Sequence, residues 1–107
     1  MTLVNSGNVI IDNTWLWRAD HSVAGIVRNS MNPVEAGLVV YGDNVIGYGV
    51  AVEHTLGNML QWWGNGGQTW FYQSEFPYDV DQAVWGDKNF TSYLVAPGVT
   101  THSANGV

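Results

Sequence analysis

Apolar positions along this chain come in short runs, and none keeps the spacing of a helix. Residues at i, i+3, i+4 and i+7 never form a sustained stripe, so no amphipathic helix is predicted. β-Branched and aromatic residues cluster instead over three to eight positions, bounded by Gly, Asn and Asp. The clearest runs are Val9–Ile11, Thr14–Trp17, Leu38–Tyr41, Tyr48–His54, Met59–Trp63, Thr69–Phe76, Tyr93–Val95 and Val99–His102. Turn chemistry separates them at Asn5-Ser6-Gly7, Gly42-Asp43-Asn44, Gly64-Asn65-Gly66-Gly67 and Pro97-Gly98. Two stretches without a strand pattern, Ser22–Ala36 and Asp79–Asn89, are predicted as loop insertions.

Short strands divided by turns fit an antiparallel sandwich or a parallel solenoid, and internal repetition separates the two. Asn8-Val9-Ile10 returns as Asn44-Val45-Ile46, 36 residues later, and Tyr48–His54 aligns with Trp70–Phe76 at an offset of 22. An offset in the low twenties is about one turn of a right-handed β-helix, and the longer one is the same turn carrying the Ser22–Ala36 insertion. The expected fold is all-β: a right-handed, single-stranded parallel β-helix of the pectate-lyase-like kind, with about four coils in a single partial domain over residues 1–107. Each coil of a solenoid buries its inner face only against its neighbours. Neither end of the sequence shows a helical or polar cap, so the expectation is a piece of a larger β-helix.

Placing the repeat on strands singles out two acids. The chain has three Glu, and two of them, Glu53 and Glu75, occupy matching positions 22 residues apart. Strand alternation turns Val50 and Val52 toward the core and Glu53 outward, with Gln73 and Glu75 on the same outward face of the next coil. Neighbouring rungs bring the two carboxylates to about 4.8 Å at the backbone. Two carboxylates so close do not both ionise easily, which leaves one as a proton donor of the kind that glycosidic oxygen requires. The plain alternative is a pair of solvated surface acids. One coil earlier the same face carries Trp15 and Trp17, suited to stacking on pyranose rings or else covered by a partner domain or by the Ser22–Ala36 loop. Trp62 and Trp63 are adjacent, so one faces inward, and Trp63 joins Trp15, Trp17 and Gln73 as a candidate substrate contact.

Composition narrows the partners. Charged residues are 11% of the chain, and 3 Lys and Arg against 9 Asp and Glu leave a formal charge of −6. Nucleic acid and anionic membrane surfaces are held by clustered cations, so neither is expected. Thirteen Gly and six Trp in a chain of low charge suit a neutral, hydroxyl-rich ligand such as a polysaccharide. Cysteine is absent, which excludes a disulfide scaffold, a thiolate zinc site and a Cys nucleophile. Asp20-His21, Glu53-His54 and His102 lack the spacing of a zinc motif, and no metal or cofactor is expected. The glycine-rich turn lacks the Lys of a P-loop, and Ser74 is not in a nucleophile elbow. Asn89-Phe90-Thr91 is an N-glycosylation sequon. Met1–Ile11 lacks the basic start of a signal peptide.

Several stretches carry a resemblance. Trp15-Leu16-Trp17-Arg18-Ala19-Asp20-His21, Gly37–Val45, Val52-Glu53-His54 and above all Trp63–Asp79 resemble glycoside hydrolase family 55, the exo-β-1,3-glucanases or laminarinases. The resemblance runs from about Asn8 to His102 and is weaker after Thr100. It implies two tandem right-handed β-helices, with this chain in the second and a preceding β-helix as its partner. It implies inverting hydrolysis of β-1,3-glucan from the non-reducing end by a secreted or extracellular protein. Glu75 matches the general acid and Glu53 a second active-site carboxylate. Groups holding the nucleophilic water lie partly in the first β-helix, so the isolated chain is expected to be inactive. Adjacent rungs conflict with the ~6.5–9.5 Å between inverting carboxyls and lean toward the ~5–5.5 Å of retaining ones. Two other readings stay open: a non-catalytic carbohydrate-binding or structural segment, and a lyase on acidic polysaccharide. The second needs Ca²⁺ ligands and a basic residue, and the chain is poor in cations.

Overall fold

A computed structural model describes residues 1–107, and nearly all of its ordered backbone is parallel strand. The first sheet holds β1 (Thr2–Val4), β6 (Leu38–Val40), β8 (Leu60–Trp62) and β10 (Tyr93–Val95), in that order. The second holds β11 (His102–Asn105), β9 (Gly67–Glu75), β7 (Ile46–Glu53) and β2 (Ile10–Asp12), with β3 (Trp15–Trp17) also paired to β7. Every pairing in both sheets is parallel, and the chain alternates between them to make four coils of a parallel β-helix. Registers match the repeats: Ile10 pairs with Ile46, Leu38 with Leu60, and Glu53 with Glu75.

The second sheet bends once per coil. Asn13, Gly49, Phe71 and Gly106 fall in one column of the register, and each has positive φ. Single left-handed residues turn the strand and reset which side chains point inward. After the bend Val50 and Val52 enter the core, Tyr72 packs against it, and the Tyr72 hydroxyl donates to the Ser92 carbonyl at 2.8 Å. The core column is Leu38, Val40, Val45, Val50, Val52, Met59, Leu60 and Trp62, where each buried Val or Leu contributes roughly 1.5–3 kcal/mol.

The two insertions carry more structure than the sequence predicts. Residues 21–26 form a small antiparallel ribbon, β4 (His21–Ser22) with β5 (Gly25–Ile26). The other insertion holds a 3₁₀ turn at Gly86–Lys88 and sends Trp85 into the core, between Phe76 and Phe90. Two-residue strands and a single buried Trp carry no periodicity, which is why pattern reading leaves both segments as loops.

Candidate active site

The segments after the bend place Trp17, Glu53 and Glu75 in one column, because Trp17 pairs with Glu53 and Glu53 with Glu75. Trp15, Ala51 and Gln73 form the parallel column two residues earlier. Both Trp side chains face solvent, at 62% and 44% exposure, and their rings stack on each other at 5.3 Å and 21°. Glu75 is open, with half of its side chain exposed, and Gln73 is exposed beside it. Glu53 differs from expectation. It lies in the outward column, between Trp17 on one neighbouring coil and Glu75 on the other, yet only 8% of it is accessible.

Trp63 stands apart from this group. It follows β8 at the opposite corner of the coil, stacks on Tyr41 at 6.1 Å and donates its indole N–H to the Gln61 side chain. The eight residues of β7 separate that corner from Glu53, on the order of 20 Å of strand. Trp62 is the inward member of the pair and is fully buried.

The structure adds a polar network that the strand pattern does not reveal. Asp20, just past β3, is buried and serves as a common acceptor. Trp17 Nε1 donates to its Oδ1 at 3.2 Å and the Tyr78 hydroxyl to its Oδ2 at 2.8 Å. His21 Nδ1 lies 2.8 Å from Oδ1, and His54 Nε2 lies 3.1 Å from Oδ2. Burial pushes the Asp20 carboxyl up; the Tyr78 hydroxyl, a backbone hydrogen bond and the two histidines outweigh it, and the group sits below the ordinary Asp value. The bond to Asp20 raises the Tyr78 phenol above its ordinary value. His54 Nε2 also lies 3.5 Å from Glu75 Oε2. Glu53, His54 and Glu75 bring one donor atom each within 4.8 Å of the others, close enough to share a cation.

Arg18 fixes the ends of this network. Its buried guanidinium meets carbonyls only: Arg28, Met31 and Asn32 of the insertion, and His54 at 3.0 Å. The His54 backbone N–H in turn donates to the Glu75 carbonyl at 2.8 Å. Sequence reasoning had a signal for Arg18, since the 36-residue offset that lays Trp17 over Glu53 also lays Arg18 over His54. It had none for Tyr78, which reaches Asp20 through a turn outside the register.

Known proteins share this fold. The LAM55 pectate lyase-like domain matches residues 1–75. An exo-beta-1,3-glucanase of Streptomyces sp. (strain SirexAA-E / ActE) is 45% identical over 109 residues, which cover 98% of this chain and 18% of the glucanase. The solved structure of sacteLam55A from the same organism superposes with a TM-score of 0.87 at 43% identity, over 95% of this chain and 19% of that one. A glutamate-to-alanine variant of sacteLam55A in complex with glucose gives the same TM-score at 42% identity. This chain therefore spans about a fifth of the proteins it matches. With the stacked parallel coils and the in-register glutamates of this structure, the match places the chain in the LAM55 pectate lyase-like family, within glycoside hydrolase family 55.

Proposed function

We propose that this chain forms the acid-bearing coils of an exo-acting β-1,3-glucanase, and that Glu75 is its general acid. The column Trp17–Glu53–Glu75 carries the reading: an open carboxyl next to a covered one, beside an aromatic pair with an exposed face. Glu75 has room to reach a glycosidic oxygen and deliver a proton as the bond breaks. Trp15 offers its free face to the C–H side of a pyranose, while Trp17 is tied to Asp20 and orients the stack. The similarity to an exo-beta-1,3-glucanase, and the glucose bound to a variant of sacteLam55A, support β-1,3-glucan as the substrate.

Glu53 is too close to Glu75 to serve as the base of an inverting reaction. Their nearest donor atoms lie within 4.8 Å, against ~6.5–9.5 Å between the carboxyls of inverting pairs. Inversion then needs a water held on the far side of the sugar by groups outside this chain, which we assign to a preceding β-helix of the whole protein. Glu53 is left with charge stabilisation next to the reacting carbon.

The test uses the full-length protein. Glu75→Gln should lower kcat on laminarin by about 10²–10⁴. The deficit should shrink on an aryl β-glucoside with an acidic leaving group, which departs without a proton. Glu53→Gln should lose activity on both substrates. Equal loss on both substrates in Glu75→Gln, or near-normal laminarin hydrolysis, would remove Glu75 from the acid role. The exposed Trp pair favours the second reading, a binding segment without catalysis; there Glu75→Gln is silent while the Trp15→Ala, Trp17→Ala double variant loses glucan.

A further inference from the structure

His54 is the one buried imidazole that faces the acids, and its surroundings single it out. Its side chain is 1% accessible, and neither ring nitrogen completes an aligned hydrogen bond. The backbone is left-handed at φ 59°, a conformation few side-chain-bearing residues adopt without a reason. Both of its peptide groups are pinned. Its N–H donates to the Glu75 carbonyl and its carbonyl accepts from Arg18. The ring is braced by Tyr78 at 4.9 Å. Nε2 looks at two carboxylates, Asp20 at 3.1 Å and Glu75 at 3.5 Å. A nitrogen facing acceptors serves as a donor, which puts a hydrogen on Nε2.

One N–H cannot satisfy both carboxylates. Asp20 already accepts from Trp17 and Tyr78 and has His21 at 2.8 Å. No side-chain hydrogen bond reaches the Glu75 carboxyl, which is 52% exposed and free to turn. The His54 N–H therefore changes little for Asp20 and much for Glu75. At 3.5 Å the contact is long, as catalytic hydrogen bonds often are before substrate closes the site.

We propose that His54 is a positioning residue for Glu75: its Nε2–H holds one carboxyl oxygen and leaves the other to carry the proton that the leaving group receives. The proposal rests on the reading of Glu75 as the acid. It assigns a reason to a buried, strained histidine whose backbone is bonded to the very residue it faces. The proton transferred is that of Glu75, and His54 keeps its own throughout.

Three variants of the full-length protein test it. His54→Asn tolerates the left-handed backbone but is too short to reach Glu75. His54→Phe keeps the volume and lacks the donor. His54→Gln places an amide N–H close to the Nε2 position. With laminari-oligosaccharide as substrate, Asn and Phe should each lower kcat by about 10–100-fold, below the full general-acid contribution of about 10²–10⁴, with KM nearly unchanged. On dinitrophenyl β-glucoside the deficit should vanish, and Gln should recover most of the lost kcat on oligosaccharide. A structural role would not depend on the leaving group. Equal losses on the two substrates, an unchanged kcat in Asn or Phe, or a Gln variant no better than Phe overturns the proposal. Glu75→Gln run alongside separates the two failures. If it shows the leaving-group dependence and the His54 variants do not, only the positioning role falls; if it does not, the acid assignment falls with it.

Discussion

The two corners of the coil that bound the second sheet are built on opposite terms. At the first, between the first sheet and the second, Asp43 Oδ1 accepts from the Asn65 N–H, and Asn65 Oδ1 accepts from Thr100 and Thr101. The Asn8, Asn44 and Gly66 amides each donate to a carbonyl of a neighbouring coil, at 2.8–2.9 Å. Each coil repeats its neighbour, and the turn amides are answered within the ladder; Trp62 Nε1 and His102 Nδ1 beside the turns are the buried atoms left open. At the other corner, after Glu53 and Glu75, the connections differ in length and the buried groups are ionisable: Arg18, Asp20, Glu53 and His54. Atoms there stay without a partner, among them both ring nitrogens of His54, Thr55 Oγ1 and Asp79 Oδ1. Buried polar atoms are normally satisfied, so leaving several open in one place is informative. The repeating corner, with fewer open atoms, is scaffold, and the irregular one, where most of the open atoms gather around His54 and Asp79, is where a ligand has something to complete.

Breaking the second corner should have the largest effect on stability. Arg18→Met removes the donor that ties the insertion to the His54 turn and leaves the buried His54 carbonyl, and the part-buried carbonyls of Arg28, Met31 and Asn32, without it. Each hydrogen bond to a charged group that is lost in this way costs about 1.5–3 kcal/mol, several are lost together, and chemical denaturation of the full-length protein should read it. Arg18→Lys should recover little, because an ammonium cannot reach carbonyls on both sides of the fork. A midpoint shift within experimental error in Arg18→Met would show that the insertion is held by other contacts.

Breaking the first corner should be milder in one respect and cleaner in another. A methyl group added at Gly64 would fall on the carbonyl oxygen of Gly42 in the coil above. Gly64→Ala should therefore force the coils apart and cost about 1–3 kcal/mol, the usual range for overpacking. Protein that remains folded should keep its kcat, since the acids lie at the far end of β7. Equal stability and lowered kcat would reverse the assignment of scaffold and site.

The same contrast explains what the sequence made legible. The first corner and the strands obey a repeat, and the repeat alone aligns Glu53 on Glu75 and Trp17 on Glu53. It also turns Val50 and Val52 inward, as they are. The second corner has no fixed period. Asp20 and Tyr78 meet across 58 positions of sequence through two unequal turns, and no spacing rule connects them. Glu53 shows the limit inside the legible part, because alternation gives the direction of a side chain and not what covers it. Trp63 shows the limit of composition, since an exposed Trp serves either corner equally well and here belongs to the one without the two glutamates.

The smallest expected effect separates the corners by pH. His102 starts β11 near the first corner, with Nε2 2.6 Å from the Tyr93 hydroxyl, which lies 2.5 Å from Thr69 Oγ1, and its ring 5.0 Å from Trp62. Burial lowers its pKa below the ordinary 6.5. The unfolded chain then binds a proton that the folded chain resists, so stability is full above about pH 6.5 and declines as the pH falls toward the folded value. Asp20 at the second corner is also held below its ordinary 3.8, so its contribution persists through that window and is lost only in stronger acid. Melting temperatures of the full-length protein should accordingly fall in two stages, mildly below pH 6.5 and again below about pH 4. His102→Gln retains a partner for Tyr93 and cannot titrate, so it should flatten the first stage and leave the second. A variant that follows the wild-type curve between pH 6.5 and 5 would assign the early loss to another group, and the first corner would then carry no acid-sensitive element.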